Sequence, residues 1–553
     1  MPLTRSFFEE RATLKSILAA LLALAALSIV SSASADPMRY GVADDWPKFH
    51  ACGDVWWAAA NDIGYQDLRM TVQWNEATPT VIPFQSNLQT AIDCAKLNDI
   101  RPILAIYPLH PSAIGANAGA QAQFATFVSL VGQAFPDVQD FIVGNEPNVN
   151  RFWQPQYAGG KDAAATDYEH TLAQSYDALK TVRPDSTVWG PAISSRGNDN
   201  ANAASNPSHS PVWFIKYMGD AYKASGRTEP IFDEFNFHPY PPIQDTDPFS
   251  KAFQWPQAGA ANLDRIKQAL WDAFNGTGQP IVTEQPGGRQ TQFAAPQSLP
   301  LNMDEAGEQT VVTGHEAAYD GTPENVTPIS EAQQATNHVE LAEIGACDPA
   351  VNTVLWFPLI DDNGISTGFQ SGNLFADFAQ KQSYGAMKTK IASAKGNCQG
   401  AGQTWSHASG VIGAQGIFGG PGTDAGSQPG NKPAGVTGVW TSFTVNEDAT
   451  YTATLTQGGG KTVATLTGTA KAYYKPGLNF KLAKLLPSGT YQFTVLLEAA
   501  TNPSRATTLT SKPFTIGSAT GASTGKVKPK AKPKAKATAT AKGKPKPKPK
   551  KKK

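Results

Sequence analysis

The stretch Asp140-Phe-Ile-Val-Gly-Asn-Glu146-Pro147 decides how the chain is read. A short apolar run, of the kind that forms a strand buried on both faces, exits into a carboxylate at Glu146. Pro280-Ile-Val-Thr-Glu284-Gln has the same form, with Glu284 as the first carboxylate at its exit. Strand-and-helix units of similar size surround both. In a (β/α)₈ barrel the C-terminal ends of different strands converge on one cleft. The remaining sequence must therefore supply the other units.

It does so between Arg39 and about Asn397. Strands are predicted at Arg39–Val42, Leu68–Gln73, Ile103–Tyr107, Phe141–Gly144, Thr187–Gly190, Ile231–Phe237, Ile281–Thr283 and Val354–Phe357. Most are continuous apolar runs, as parallel strands covered on both faces require. Helical stretches separate them, among them Gln121–Ala134, Asp167–Val182 and Asn262–Phe274. Ser330-x-x-Gln333 reads as a capping box opening the helix that ends near Gly345. Eight alternations favour an α/β fold of the (β/α)₈ barrel type over a doubly wound sheet. No glycine-rich phosphate loop follows the first strand, which counts against a dinucleotide site. The connection from Gln285 to about Ser330 is long enough to expect a cleft wall or lid.

A chain of 553 residues exceeds one core, so several domains are expected. Arg5, Arg11 and Lys15 precede the apolar run Ile17–Val30, and Ala33-Ser34-Ala35 follows it. This pattern reads as a signal peptide over residues 1–35, too short to span a bilayer, where roughly 20 residues are needed. The barrel domain then covers 36–398, and a Gly/Pro/Ser-rich linker covers 399–433. Short alternating segments over 434–516, divided by turns such as Gln457-Gly-Gly-Gly460, predict a small immunoglobulin-like β-sandwich. The Lys/Pro/Ala tail over 517–553 cannot bury a core and is expected to be disordered.

The formal charge of zero sums two opposed regions. Of 46 lysines and arginines against 46 acids, fourteen lysines lie between Lys526 and Lys553, where no acid occurs. The rest carries 32 bases against the same 46 acids and is acidic, which argues against nucleic acid as its ligand. The tail is suited instead to an anionic partner such as a cell-wall polymer. Four cysteines fit an oxidising compartment. Their places beside consecutive helices favour the local pairs Cys52–Cys94 and Cys347–Cys398. The mature protein is expected to be secreted, possessing no membrane span after cleavage, and to need no metal or cofactor.

Two carboxyls at one barrel mouth suit glycosidic-bond hydrolysis, one to protonate the leaving oxygen and one to attack or to activate water. Asn145-Glu146-Pro147 after the fourth strand, with Glu284 after the seventh, resembles glycoside hydrolase clan A. Arg69 on the second strand, His238-Pro-Tyr240 closing the sixth and Trp356 on the eighth agree with that resemblance, which covers roughly Met38 to Asn397. It implies a retaining double displacement on a carbohydrate substrate, in which Glu146 is the general acid/base and Glu284 the nucleophile. Retaining enzymes hold the two carboxyls about 5–5.5 Å apart. It also places Arg69 and Tyr240 around the nucleophile, Asn145 on the sugar's 2-hydroxyl, and His238 and Trp356 in the same pocket.

Other readings stand beside these. Arg69 serves equally well as a structural ion-pair partner, and tryptophans at the catalytic side, Trp46, Trp74, Trp153 and Trp255, are as often packing residues. The alternative to an enzyme is a carbohydrate- or cell-envelope-binding protein on an inactive barrel. An aldolase would need a Schiff-base lysine at a strand end, and none stands there.

Overall fold

The computed structural model describes residues 38–516, apart from 251–252, 283–298, 322–325, 349, 366–367, 394–437, 444, 446, 473–475 and 482–485. The segments read as signal peptide, linker and basic tail lie outside the described residues.

Eight parallel strands close into a barrel: β1 (Arg39–Ala43), β2 (Asp67–Trp74), β3 (Arg101–Pro108), β4 (Asp140–Val143), β5 (Thr187–Ser194), β6 (Glu234–His238), β7 (Leu301–Ala306) and β8 (Val351–Trp356). Each pairs with the next in sequence and β8 closes on β1. One helix follows each strand: α1 (Val55–Ile63), α2 (Gln85–Leu97), α3 (Ala118–Ala134), α4 (Ala164–Val182), α5 (Pro211–Ser225), α6 (Leu263–Phe274), α7 (Glu331–Cys347) and α8 (Gln382–Ser393). Local chemistry sets their ends. Asp54 caps α1 by accepting from the Trp56 N–H, and Gly64 closes it at φ 95°, where a side chain would be strained. Ser330 caps α7 by accepting from the Gln333 N–H at 3.2 Å, while the Gln333 amide turns to Asn337 instead of completing a box.

The seventh strand corrects the sequence reading. Ile281–Thr283 is not the barrel strand: the Ile281 carbonyl accepts from Leu299 N–H at 3.0 Å, ahead of β7. The strand itself is Leu301-Asn-Met-Asp-Glu-Ala306. Its Leu301 and Met303 face the shell between barrel and helices, while Asn302 and Asp304 lie fully buried among charged partners inside. An apolar-run criterion passes over a strand with such an inward face. The long connection is accordingly divided, residues 283–298 preceding β7 and Gly307–Ser330 leaving its C-terminal end.

Large side chains fill the space between strands and helices. Inside the barrel a small apolar plug of Ile103, Ala105, Ile142, Trp189, Ala192 and Leu355 separates two polar layers. The lower one, near the strand starts, holds Asp67 between Arg39 and Arg101 at 2.7 Å each, and Arg101 also reaches Asp140 at 3.5 Å. The upper layer is the candidate site.

Cys52 and Cys94 form a disulfide, Cα atoms 5.1 Å apart, which ties the loop before α1 to α2. Cys347 ends α7, and its expected partner Cys398 lies outside the described residues.

The C-terminal region contains β9 (Gly438–Ser442), β10 (Ala449–Gln457), β11 (Lys461–Ala470), β12 (Gly477–Lys481), β13 (Gly489–Ala499), β14 (Ala506–Thr510) and β15 (Phe514–Ile516). β9 pairs with β12, while β11, β10, β13 and β14 lie side by side with β15 on β13, all antiparallel. Tyr491, Phe493, Val495, Leu497 and Ala499 alternate along β13 into a second core, giving the β-sandwich expected from the alternation. Arg505, only 1 % exposed, pairs with Glu447 of the sandwich at 2.6 Å and with Asp272 of α6 at 3.1 Å. Removing one partner of such a buried cluster costs about 3–5 kcal/mol, so this contact pins the sandwich to the barrel.

Candidate active site

At the exit of β4 the backbone is shaped before the side chains matter. Gly144 sits at φ 102°, and a Cβ there would meet the Tyr168 ring at 2.8 Å, so only glycine fits. Glu146 follows at φ 40°, a left-handed conformation that costs a non-glycine residue of order 1–3 kcal/mol. It is held there by its N–H, which donates to the Ala192 carbonyl of β5 at 2.8 Å.

At the exit of β7 the device is a bulge. Met303 pairs with Val354 and Ala306 with Trp356, so β7 spends one more residue than β8 across this step. The bulge re-aims side chains and breaks the alternation. Asp304 and Glu305, consecutive in sequence, therefore both turn toward the barrel mouth. Glu305 accepts from Arg69 Nη1 at 3.0 Å and from the Tyr240 hydroxyl at 2.8 Å. Arg69 spans the mouth, its Nη2 donating to Asn145 Oδ1 at 2.7 Å. His238 lies between the two strand ends, with Nδ1 3.0 Å from Glu146 Oε1. Its Nε2 is 3.4 Å from Asp304 and 3.7 Å from Glu305.

The electrostatics follow from burial and these contacts. Burial would depress the pKa of His238, but the charges of Glu305 and Asp304, with contacts to Asp304 and Glu146, outweigh it and push it up to about 10. The imidazole is therefore a cation at neutral pH. Burial would raise Asp304, yet His238 and Arg69 hold its carboxyl below the ordinary carboxylate value. Burial and the neighbouring Glu305 charge push the Tyr240 phenol well above its usual range, so it remains an O–H donor. Three carboxyl groups thus face two cations, Arg69 and His238, with Asp304 and His238 fully buried and the two glutamates partly exposed.

Of the residues read from the sequence, Arg69, Asn145, Glu146, His238 and Tyr240 come together here. Glu284 lies outside the described residues, and Glu305 holds the place expected of it, at the end of strand seven between Arg69 and Tyr240. The signal that could have found Glu305 was the pair Leu301 and Met303, spaced for one strand face, with a carboxylate at the exit. Trp356 is also corrected. It is fully buried against Tyr40, Tyr65 and His338, on the helix side of β8, and offers no surface to a ligand. The next residue, Phe357, is part-exposed at the rim, its N–H donating to the Ala306 carbonyl at 2.8 Å. Trp74 and Trp153 are core residues, while Trp46 and Trp255 are half-buried.

A closed parallel barrel of eight strands, with glutamates at the ends of β4 and β7, is the arrangement by which this chain resembles glycoside hydrolase clan A. No family model and no curated protein matches the sequence. Among solved structures it is similar to a family 39 glycoside hydrolase from the gut symbiont Bacteroides cellulosilyticus WH2, at 14 % identity over 80 % of this chain and 81 % of that one, TM-score 0.46. A glucosidase from Croceicoccus marinus is 11 % identical over 81 % of this chain and 94 % of that one, TM-score 0.44. A GH5_18 structure from Streptomyces cattleya in complex with GlcNAc is 14 % identical over 67 % and 83 %, TM-score 0.43.

Proposed function

We propose that the chain is a retaining glycosidase acting on β-glycosidic bonds, with Glu305 as nucleophile and Glu146 as general acid/base. The observation that carries this reading is the unequal company of the two glutamates. Glu305 receives a guanidinium and a phenol, donors that stabilise a carboxylate and orient it. Glu146, across the rim at the end of β4, receives only the His238 contact among the described donors, and that ring also faces Asp304 and Glu305 through its other nitrogen. In the first step a Glu305 oxygen bonds to the anomeric carbon, the bond to the leaving oxygen breaks, and that oxygen takes a proton from Glu146. In the second step water attacks the same carbon, its proton passes to Glu146, and Glu305 leaves as a carboxylate. Asn145, whose oxygen is engaged by Arg69, has its amide N–H groups to offer the sugar's 2-hydroxyl.

The reading includes export behind a cleaved signal and a basic tail that holds the enzyme near anionic wall polymers by charge alone. Retention on cell-wall material should then fall steeply with salt and disappear in a chain ending at Ile516. Equal retention of that shorter chain at low salt would end the tail's role.

The catalytic reading is tested with a panel of aryl β-glycosides, following the first-formed sugar by proton NMR. The β-anomer is expected first, and a 2-deoxy-2-fluoro glycoside of the accepted sugar should leave a covalent adduct on the peptide containing Glu305. Release of the α-anomer first, or an adduct elsewhere, would overturn the mechanism.

A further inference from the structure

Beside the two glutamates, the barrel mouth carries an aromatic surface that the hydrolytic step does not use. Phe84, 61 % exposed, ends the β2–α2 loop. Phe49, 52 % exposed, belongs to the turn Trp46–Phe49 that follows β1, and its ring packs edge-on with Phe84 at 5.3 Å. Trp46 of the same turn meets Phe378 of the β8–α8 loop edge-on at 5.9 Å, and Phe378 is 43 % exposed. The rings form two edge-on pairs, Phe84 with Phe49 and Phe378 with Trp46, carried on the β8, β1 and β2 loops, which are neighbours in the barrel, and one face of Trp46 is covered by the stacked His50 ring. All three are strand-to-helix loops, so this aromatic surface lies on the face where Glu146 and Glu305 stand.

Two observations set it apart from ordinary surface. Phe84 and Phe378 are both held at positive φ, 52° and 69°, where glycine or asparagine would be comfortable and phenylalanine is strained. Each thus pays twice, in backbone strain and in an apolar ring left in water. Strained residues kept at a functional face are the usual sign of a contact that repays them elsewhere. The surface also consists of aromatic rings rather than aliphatic branches, and flat ring faces suit the C–H faces of pyranose rings.

We propose that Phe84, Phe49, Trp46 and Phe378 form a shelf that binds a carbohydrate chain extending out of the catalytic cleft. The turn that carries Trp46 and Phe49 is anchored beside the site: Asp45, next to Trp46, accepts from the Thr71 N–H at 2.8 Å, two residues beyond Arg69 on β2. This inference rests on the glycosidase reading and deepens it, making the enzyme one for oligo- or polysaccharides rather than for small glycosides.

The test compares the full-length protein with Phe84→Ala, Phe378→Ala and Phe84→Tyr on β-linked gluco-, xylo- and manno-oligosaccharides of two to six sugars and on the matching aryl glycoside. In the wild type kcat/KM should rise with chain length. Each alanine variant should lose about tenfold on the longest substrate relative to the aryl glycoside, the scale of one aromatic contact, and Phe84→Tyr should restore it. A loss equal at every length would mean a folding role and overturn the shelf, as would no loss at all. Phe84→Gly separates strain from damage: it should raise Tm while showing the same length-dependent loss. If no substrate is turned over, affinity electrophoresis with soluble β-glucan, xylan and mannan still decides the question. Retardation of the wild type that weakens in the Phe84→Ala, Phe378→Ala double variant supports the shelf. Equal retardation, or a gel-filtration shift from dimer to monomer without any retardation, overturns it.

Discussion

Strands β4 and β7 deliver a glutamate to the same rim by opposite means. β4 is four buried residues, Asp140 to Val143, and its turn is forced by Gly144, which alone tolerates the approach of Tyr168. β7 is half polar, and a bulge rather than a turn presents its carboxylates. The first strand earns its place by apolar burial. The second is placed by charge, because Asn302 and Asp304 meet Glu234, Arg69 and His238 inside the barrel. A barrel with a polar interior near its site needs strands of both kinds, and only one kind announces itself as an apolar run.

The comparison breaks most directly at the nucleophile. Glu305→Ala should lower turnover of every substrate by at least about 10⁴-fold, because no atom remains to attack the anomeric carbon. Glu284→Ala should lose less than about tenfold, the size of an indirect effect. Steady-state rates on one aryl glycoside decide between them, and the reverse order would return the role to Glu284.

This is also where the sequence proved legible and where it did not. Seven of eight strands were located because β1 to β6 and β8 carry apolar or mixed cores that periodicity detects. Asn145, Glu146, His238 and Tyr240 are brought together as expected because each sits within a few residues of such a strand end. β7 was displaced because burial among charged groups, not apolarity, stabilises it, and those partners are distant in sequence. Trp356 faces the helices instead of the site, because where β8 ends decides whether an aromatic faces the helices or the rim, and an apolar run does not mark that end. The sandwich was readable from alternation alone, whereas the Asp272–Arg505–Glu447 contact that fastens it joins residues with no local signature.

The acid/base side gives the next largest effect. Glu146→Ala should lower kcat/KM on unactivated oligosaccharides by about 10³-fold, within the usual range for a general acid. Nitrophenyl glycosides should still form the glycosyl-enzyme, since that leaving group departs without a proton. Added azide should then speed turnover and give a β-glycosyl azide, whereas with Glu305→Ala it can give only the opposite anomer. Full activity of Glu146→Ala on oligosaccharides would remove it from the mechanism.

Asp304 sharpens the contrast, since it touches neither reacting atom in this scheme but holds Arg69 at 3.5 Å and His238 at 3.4 Å. Asp304→Asn keeps the volume and removes the charge. It should cost about 10²-fold in kcat, with KM changing less, and lower the pKa of His238, which loses a stabilising neighbour. Nitrogen-15 spectra of the histidines would report that shift without reference to activity. An unmoved His238 resonance would make Asp304 a packing residue.

The smallest effect is in stability, and its sign follows from His238. The folded protein keeps this ring protonated to about 10, while an unfolded histidine titrates near 6.5. Below pH 6.5 both states bind the proton and the full stabilisation is present. Between 6.5 and 10 only the folded state retains it, so rising pH erodes stability, by at most about 1.4 kcal/mol per pH unit for one proton. Above 10 the contribution is gone. Glu234 and Glu308, pushed up by burial to about 7 and about 8, add slope of the same sign at lower pH. The informative quantity is therefore the difference between the wild type and His238→Asn in urea midpoints from pH 6.5 to 10. The wild type should lose its advantage steadily across that window, and Asp304→Asn should lose it at lower pH. Parallel curves for wild type and His238→Asn would mean the ring is neutral in the fold. The β7 carboxylates would then not be what makes it a cation, and the contrast between a strand placed by burial and one placed by charge would fail at its centre.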